Sequence, residues 1–392
     1  MTLLTARKGG CRQGIWSDIL YLLVFAVSTV LLYTAGSAHI NRVHARLITA
    51  IALLLPCVLA GFRAFEIGTD VNVYARPLSE LALSHPSFAD YYHSKFWALW
   101  HTLGPVDYEF GFSLVVWLFA RLTGSVSGVL FGIQLLTIVP YYYAVRKYAK
   151  GGRIWFAMLV YYLLIFNTSL NMMRQAIALS FVCLGLVCIC DKKIGKYLLC
   201  MLSAVLFHKT AVLAILVIPI MKLASASTDR RKTVSIVIVL GFMGLLLVQP
   251  VTRVLSEMGL TRYAAYLTAN KMTIPWSQLF CRCLIVLPLI YASKIGGGLR
   301  GYGKRDFAFL LCLVVGLVFT PLGSLSPHAS RILLYLDQLA ILLIPRVSGL
   351  ISKREHRRRY EYFSIACMVL YWVVMYGVFG VGHTVPYAAE MV

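Results

Sequence analysis

IWFAMLVYYLLIFNTSLNMMRQAIALSFVCLGLVCIC, residues 154–190, contains one charged side chain, Arg174. A transmembrane helix needs about 20 mostly apolar residues to cross roughly 30 Å of hydrocarbon. This stretch supplies nearly two such lengths back to back, at roughly 154–169 and 173–190. A polar junction separates them, and Arg174 stands at the entrance of the second. Outward from this pair, similar runs recur at roughly 18–36, 46–62, 126–145, 196–208, 209–223, 233–250, 278–293, 307–321, 329–346 and 361–380. The expected fold is all-α, a single polytopic membrane bundle over 1–392 with about 12 transmembrane helices. Segment 110–122 is short and carries Arg121 at its end, which predicts a re-entrant or interfacial half-helix. The first run lacks a small-residue cleavage site and reads as a first span, not a cleaved signal.

Composition agrees. Of 392 residues 60% are hydrophobic and 13% charged, against about 25% charged in soluble domains. The net charge of +22 belongs to membrane loops and not to a nucleic-acid partner, since no nucleic-acid-binding motif accompanies it. If 63–109 is an extracytoplasmic loop region and 110–122 does not cross, the loops 37–46, 146–153, 191–196, 222–232, 294–305 and 346–360 face the cytoplasm. They hold 23 of the 37 Lys and Arg, as the positive-inside rule requires. The basic N-terminal tail (Arg7, Lys8, Arg12) then falls on the opposite side, against the rule. The ten cysteines lie mostly inside apolar runs and read as small buried hydrophobes. No repeat or linker divides the chain.

Segment 63–109 holds six of the fifteen acidic residues, Glu66, Asp70, Glu80, Asp90, Asp107 and Glu109, among many aromatic rings. Carboxylates accept bonds from sugar hydroxyls, and ring faces cover the C–H faces of pyranoses. An aromatic belt at the membrane interface uses the same Trp and Tyr, so both readings stand. In Asn171–Ala178, NMMRQAIA, helical spacing puts Asn171, Arg174 and Ala178 on one face. An Arg at a helix entrance needs water, a headgroup or an anion; snorkelling and a lipid phosphate are the two readings. Arg331 and Tyr335 repeat the pattern in RILLYLDQ, and Arg262 lies in the loop before the span that starts near Gln278. His208 and Lys209 interrupt what would be one apolar run, as an exposed turn or as a polar pair in which His208 could act as acid or base.

Such residues could transfer a sugar chain from a lipid diphosphate. The reaction needs a positioned acceptor hydroxyl, removal of its proton and stabilisation of the departing diphosphate. No Asp-x-Asp pair exists, the nearest string being Asp70-Val71-Asn72, and no His/Glu cluster has ligand spacing. The sequence therefore points to a site with neither metal nor other cofactor. Arg63, Arg174 and Arg331 would bind phosphate through their planar guanidinium forks. Asp70 or Glu109 would take the proton, with inversion at the anomeric carbon.

The ordered set of these residues resembles the EpsG-like polysaccharide polymerases, relatives of the Wzy O-antigen polymerases. RAFEIGTDVNVY (63–74) is similar to the family's Arg…Gly-x-Asp-x-x-x-Tyr signature, and Glu109-Phe110-Gly111-Phe112 to its Glu-x-Gly-aromatic step. NMMRQAIA is similar to its Asn-x-x-Arg-Gln-x-x-Ala helix start, Phe207–Ala211 to its His element, and Arg331 with Tyr335 to its Arg-x-x-x-Tyr. Lys209-Thr210 departs from the small or hydroxyl residue expected after the His. The resemblance implies a bacterial plasma-membrane glycosyltransferase that joins undecaprenyl-diphosphate-linked repeat units outside the cytoplasm, into a capsular, exopolysaccharide or O-antigen polymer. It implies sugar-binding roles for Tyr74, Asn171, Gln175 and Tyr335, and a chain-length regulator and other assembly proteins as partners, while Arg262 is an expected diphosphate ligand from its place near the same outer surface as Arg174 and Arg331. Two rivals remain. A flippase or exporter of lipid-linked sugars would also present arginines to diphosphate, but would often show internal repeats. A membrane O-acyltransferase would need a buried His and acid.

Overall fold

The computed structural model describes residues 11–98, 100–149, 153–258, 272–295, 301–325 and 327–390. The chain divides into two compact units. The first comprises 1–147, 152–211 and 372–392, the second 148–151 and 212–371. Among the described residues, eight helices or continuous helical segments are long and apolar enough to cross a membrane, and Ile19–Ala35, Phe110–Thr123 and Ile194–Phe207 are shorter apolar helices. The chain is thus a multi-pass, predominantly helical membrane protein.

In the first unit, α1 (Cys11–Ala35) packs on α2 (Arg42–Gly61). Asn41 caps α2 by accepting the His44 N–H (2.9 Å), satisfying one of the amides that a helix start leaves free. The segment between Phe62 and Glu109 has structure of its own. It holds α3 (Arg76–Ser84), α4 (Phe88–His93) and a two-stranded antiparallel hairpin, β1 (Phe96–Ala98) with β2 (His101–Leu103). That hairpin is an exception to the all-α expectation. Next come α5 (Phe110–Thr123) and α6 (Val126–Tyr148). α5, the expected half-helix, has 14 residues and ends at Gly124, whose φ of +67° is the left-handed conformation of a helix stop.

The quoted stretch 154–190 forms α7 (Ile154–Tyr161), a π-helical turn (Tyr162–Phe166), α8 (Asn167–Asn171) and α9 (Met173–Cys190). The break falls at Met172 (φ −87°, ψ 58°). Asn171 and Arg174 therefore sit on different helices, not on the single face that their spacing suggested. α10 (Ile194–Phe207) packs along α9.

The C-terminal residues fold back onto this unit. The Ala64 N–H donates to Ala388 O (2.8 Å), the Glu390 N–H to Phe62 O (3.0 Å) and the Gly68 N–H to His383 O (3.2 Å). Deeper in, Asn167 accepts from Trp372 Nε1 (2.7 Å) and donates to Thr384 Oγ1 (3.1 Å). Asn167 is thus a buried structural residue.

The second unit holds α11 (Val217–Ala226), α12 (Arg230–Glu257), α13 (Trp276–Ile295), α14 (Lys304–Val318), α15 (Pro327–Asp337), α16 (Ala340–Ser348) and α17 (Arg354–Trp372) as far as Tyr371. α14 is its centre, packed by α11, α12, α13, α15 and α16. The run 329–346, expected as one span, is two helices with a turn at Gln338–Leu339. Asp229 caps α12 through the N–H groups of Arg231 (3.0 Å) and Lys232 (3.2 Å).

Candidate functional site

Gly68 begins the site. Its φ of +85° is open to glycine at little cost, and a Cβ there would stand 2.6 Å from Leu170 O. This close approach lays Thr69 and Asp70 against the end of α8. The Thr69 hydroxyl (2.9 Å) and the Asp70 N–H (3.2 Å) both donate to Asn171 Oδ1. From Asp70 the chain enters a π-helical turn, Val71–Ala75. That turn brings the Tyr74 hydroxyl to Asp70 Oδ2, a donated bond of 2.9 Å.

Arg63 lies beneath, 1% exposed. It donates to the carbonyls of Ala60, Ile67 (3.3 Å) and Leu170 (3.0 Å), and to Met173 Sδ (3.7 Å). Burial draws its pKa down to about 10, so it stays charged at neutral pH. The guanidinium clamps the loop to the α8–α9 junction.

Glu109 is the N-cap residue of α5, yet its side chain makes no cap bond. The carboxylate turns to Arg174, whose Nη1 donates to Oε2 at 2.6 Å. Oε1 accepts the Lys209 N–H (3.3 Å) and lies 3.3 Å from His208 Nδ1, an ion-pair distance without hydrogen-bond geometry. The Glu109 side chain is 9% exposed. Burial alone would raise its pKa; His208 and Arg174 outweigh that and hold it at about 2. His208 reaches this position because α10 stops at Phe207 and the next residue is extended (φ −159°).

Arg174 links the two groups. Its guanidinium carbon lies 4.9 Å from the centroid of Tyr74 and 5.1 Å from that of Tyr108, within cation–π range. Its Nε is buried without a hydrogen-bond partner. The two rings stand 5.4 Å apart, and burial pushes both phenols up, so they remain hydrogen-bond donors at neutral pH. A continuous polar string results: Asn171, Asp70, Tyr74, Arg174, Glu109, His208. It can hold an anion at the guanidinium, accept hydroxyl protons at Asp70 and exchange a proton at His208.

Four motifs well separated in the chain thus converge inside one unit. Gln175 is buried beside Arg174 in the chain, and Arg331 and Tyr335 lie on α15 of the second unit, Tyr335 buried. Arg262 lies outside the described residues. Sequence reasoning gave no role to Tyr108 or to the C-terminal segment, where Gly382 (φ +78°) abuts Asn171. The Tyr108-Glu109 adjacency was the available signal for the first; nothing local marks the second. Among the described residues, no three His, Cys, Asp or Glu side chains are grouped to hold a metal ion.

A model of the EpsG family matches residues 46–389, nearly the whole chain. The chain belongs to the EpsG family. EpsG proteins are Wzy-like polysaccharide polymerases, so the role here is of the polysaccharide-polymerase type. The matched region includes every residue of the polar string and the tail as far as Ala389. No curated protein and no solved structure matches the chain.

Proposed function

We propose that this EpsG protein is a plasma-membrane glycosyltransferase that joins undecaprenyl-diphosphate-linked repeat units on the extracytoplasmic side, by a single inverting displacement that uses guanidinium groups in place of a metal. The observation that carries this reading is the Asn171–Asp70–Tyr74–Arg174–Glu109–His208 string, which sets an anion-binding Arg next to groups that bind and deprotonate hydroxyls.

The geometry supports a role for each residue. Arg174 meets the diphosphate as it departs, where negative charge develops. Glu109, held at about 2, is too weak a base to take a hydroxyl proton. Instead it compensates Arg174 and, 3.3 Å from His208 Nδ1, offers a counter-charge to the imidazolium that forms, as a carboxylate does for a catalytic imidazole elsewhere. His208 Nε2 then removes the acceptor proton. Asp70 and Asn171, with Tyr74 and Gln175, bind the sugar, while Arg63 acts through the main chain it clamps. Arg331, Tyr335 and Arg262 are proposed as further ligands of the lipid-linked substrates.

The test incubates purified protein with lipid-linked repeat units extracted from cells lacking this gene. A ladder of longer lipid-linked products is expected from the wild type and none from folded Arg174→Ala. A wild type that makes no ladder, or an Arg174→Ala protein that makes a normal one, refutes the proposal. A flippase would move the lipid across vesicles without lengthening it.

A further inference from the structure

Apolar helices rarely bury an arginine, because an unpaired charge in a membrane span is costly. α13 buries one. Arg282 is 7% exposed, and its Nε donates to Asp337 Oδ2 (3.0 Å) and Oδ1 (3.3 Å) on α15. Arg282 Nη1 is buried and has no hydrogen-bond partner. One helical turn earlier, Gln278 Oε1 is in the same condition. Residues four apart share a helix face, so an unused donor and an unused acceptor lie on the same side of α13.

Two glycines make room for this group. A Cβ at Gly316 would stand 3.2 Å from Asp337 Oδ1, and one at Gly323 would stand 2.6 Å from Gln278 Oε1. Ser330 Cβ lies 3.3 Å from that same virtual Cβ of Gly323. The polar side chains thus sit against backbone cleared of side-chain bulk. A buried donor or acceptor without a partner is costly, so a ligand that pairs with both atoms is favoured here.

We propose that Gln278 and Arg282 form a subsite for a sugar hydroxyl, with Asp337 as the positioning residue for the guanidinium. Asp337 neutralises Arg282, so the site carries no net charge to attract a phosphate. One donor beside one acceptor is the complement of a hydroxyl group, which both accepts and donates. The subsite deepens the polymerase reading and rests on it for the source of the hydroxyl, the lipid-linked saccharide.

Gln278→Leu removes the acceptor while keeping much of the volume, and Arg282→Lys keeps charge toward Asp337 while removing Nη1. Binding of lipid-linked repeat units, extracted as above, is followed by thermal shift of the full chain in detergent. Polymerisation is followed by ladder formation. Both variants are expected to weaken saccharide-lipid binding and raise KM by about fivefold, as loss of one hydrogen bond predicts, with undecaprenyl diphosphate alone bound as by the wild type. Unchanged saccharide binding in folded Gln278→Leu would mean that a water fills the site and would overturn the proposal. Weakened binding of undecaprenyl diphosphate itself would make the site a phosphate site and would equally overturn it. Because binding is read without turnover, a wild type that binds the saccharide lipid but makes no ladder would defeat the polymerase reading alone.

Discussion

Replacing Glu109 by Gln keeps the shape of the side chain and deletes the charge that Arg174 faces. The wild-type carboxyl falls from an ordinary 4.5 to about 2. At about 1.4 kcal/mol per decade the displacement corresponds to about 3 kcal/mol, and screening at the wetter edge of the site reduces this to about 2 kcal/mol. A carboxyl with a depressed folded pKa stabilises the protein above its unfolded pKa and loses that stabilisation as pH falls through the folded value. The wild type should therefore lose about 2 kcal/mol between about pH 4.5 and pH 2 through this group. Glu109→Gln should lack that component and be less stable at neutral pH by a similar amount, since Arg174 is left without its counter-charge. Thermal or denaturant unfolding in detergent across that pH range reads both effects, and ladder formation at pH 7 should be abolished. A Glu109→Gln protein with the wild-type acid profile and neutral-pH stability would show that the Arg174 contact does not hold in solution.

Arg63→Met leaves three carbonyls with fewer donors at the loop junction and should destabilise by about 2–4 kcal/mol; a folded variant with normal stability and a raised KM alone would instead make Arg63 a substrate ligand. Gly68→Ala must move Leu170 or abandon its left-handed backbone, and should cost at least about 1 kcal/mol and most of the activity, measured by unfolding and by ladder yield; a neutral result would deny the close approach. Tyr74→Phe keeps the ring beside Arg174 but frees Asp70 Oδ2, so ladder formation should slow about tenfold or less with little change in unfolding midpoint. A larger drop in stability than in rate would assign Tyr74 a packing role.

Much of the framework was legible because membrane insertion writes itself as long apolar runs. The runs at 46–62, 126–145, 173–190 and 233–250 each appear as a helix. Shorter-range detail was less legible. Met172 breaks the helix between Asn171 and Arg174, a feature that periodicity alone does not show, since both sides favour helix. Glu109 and Arg174 stood out as charged residues at helix starts, but their pairing is a contact across 65 positions. Arg282 falls inside the apolar run 278–293, whereas its pairing with Asp337 depends on how α13 meets α15. The C-terminal tail, mixed in composition and without period, carried no signal of its docking against 62–68.

That docking fixes the order in which the loop at 62–68 can be assembled. Residues 383–390, the last described, supply main-chain partners to Phe62, Ala64 and Gly68, three hundred positions earlier. The scaffold under Asp70 can therefore acquire this support only after residues 383–390 have been synthesised. The same wiring means that a change within residues 383–390 would be felt at the loop that holds Asn171.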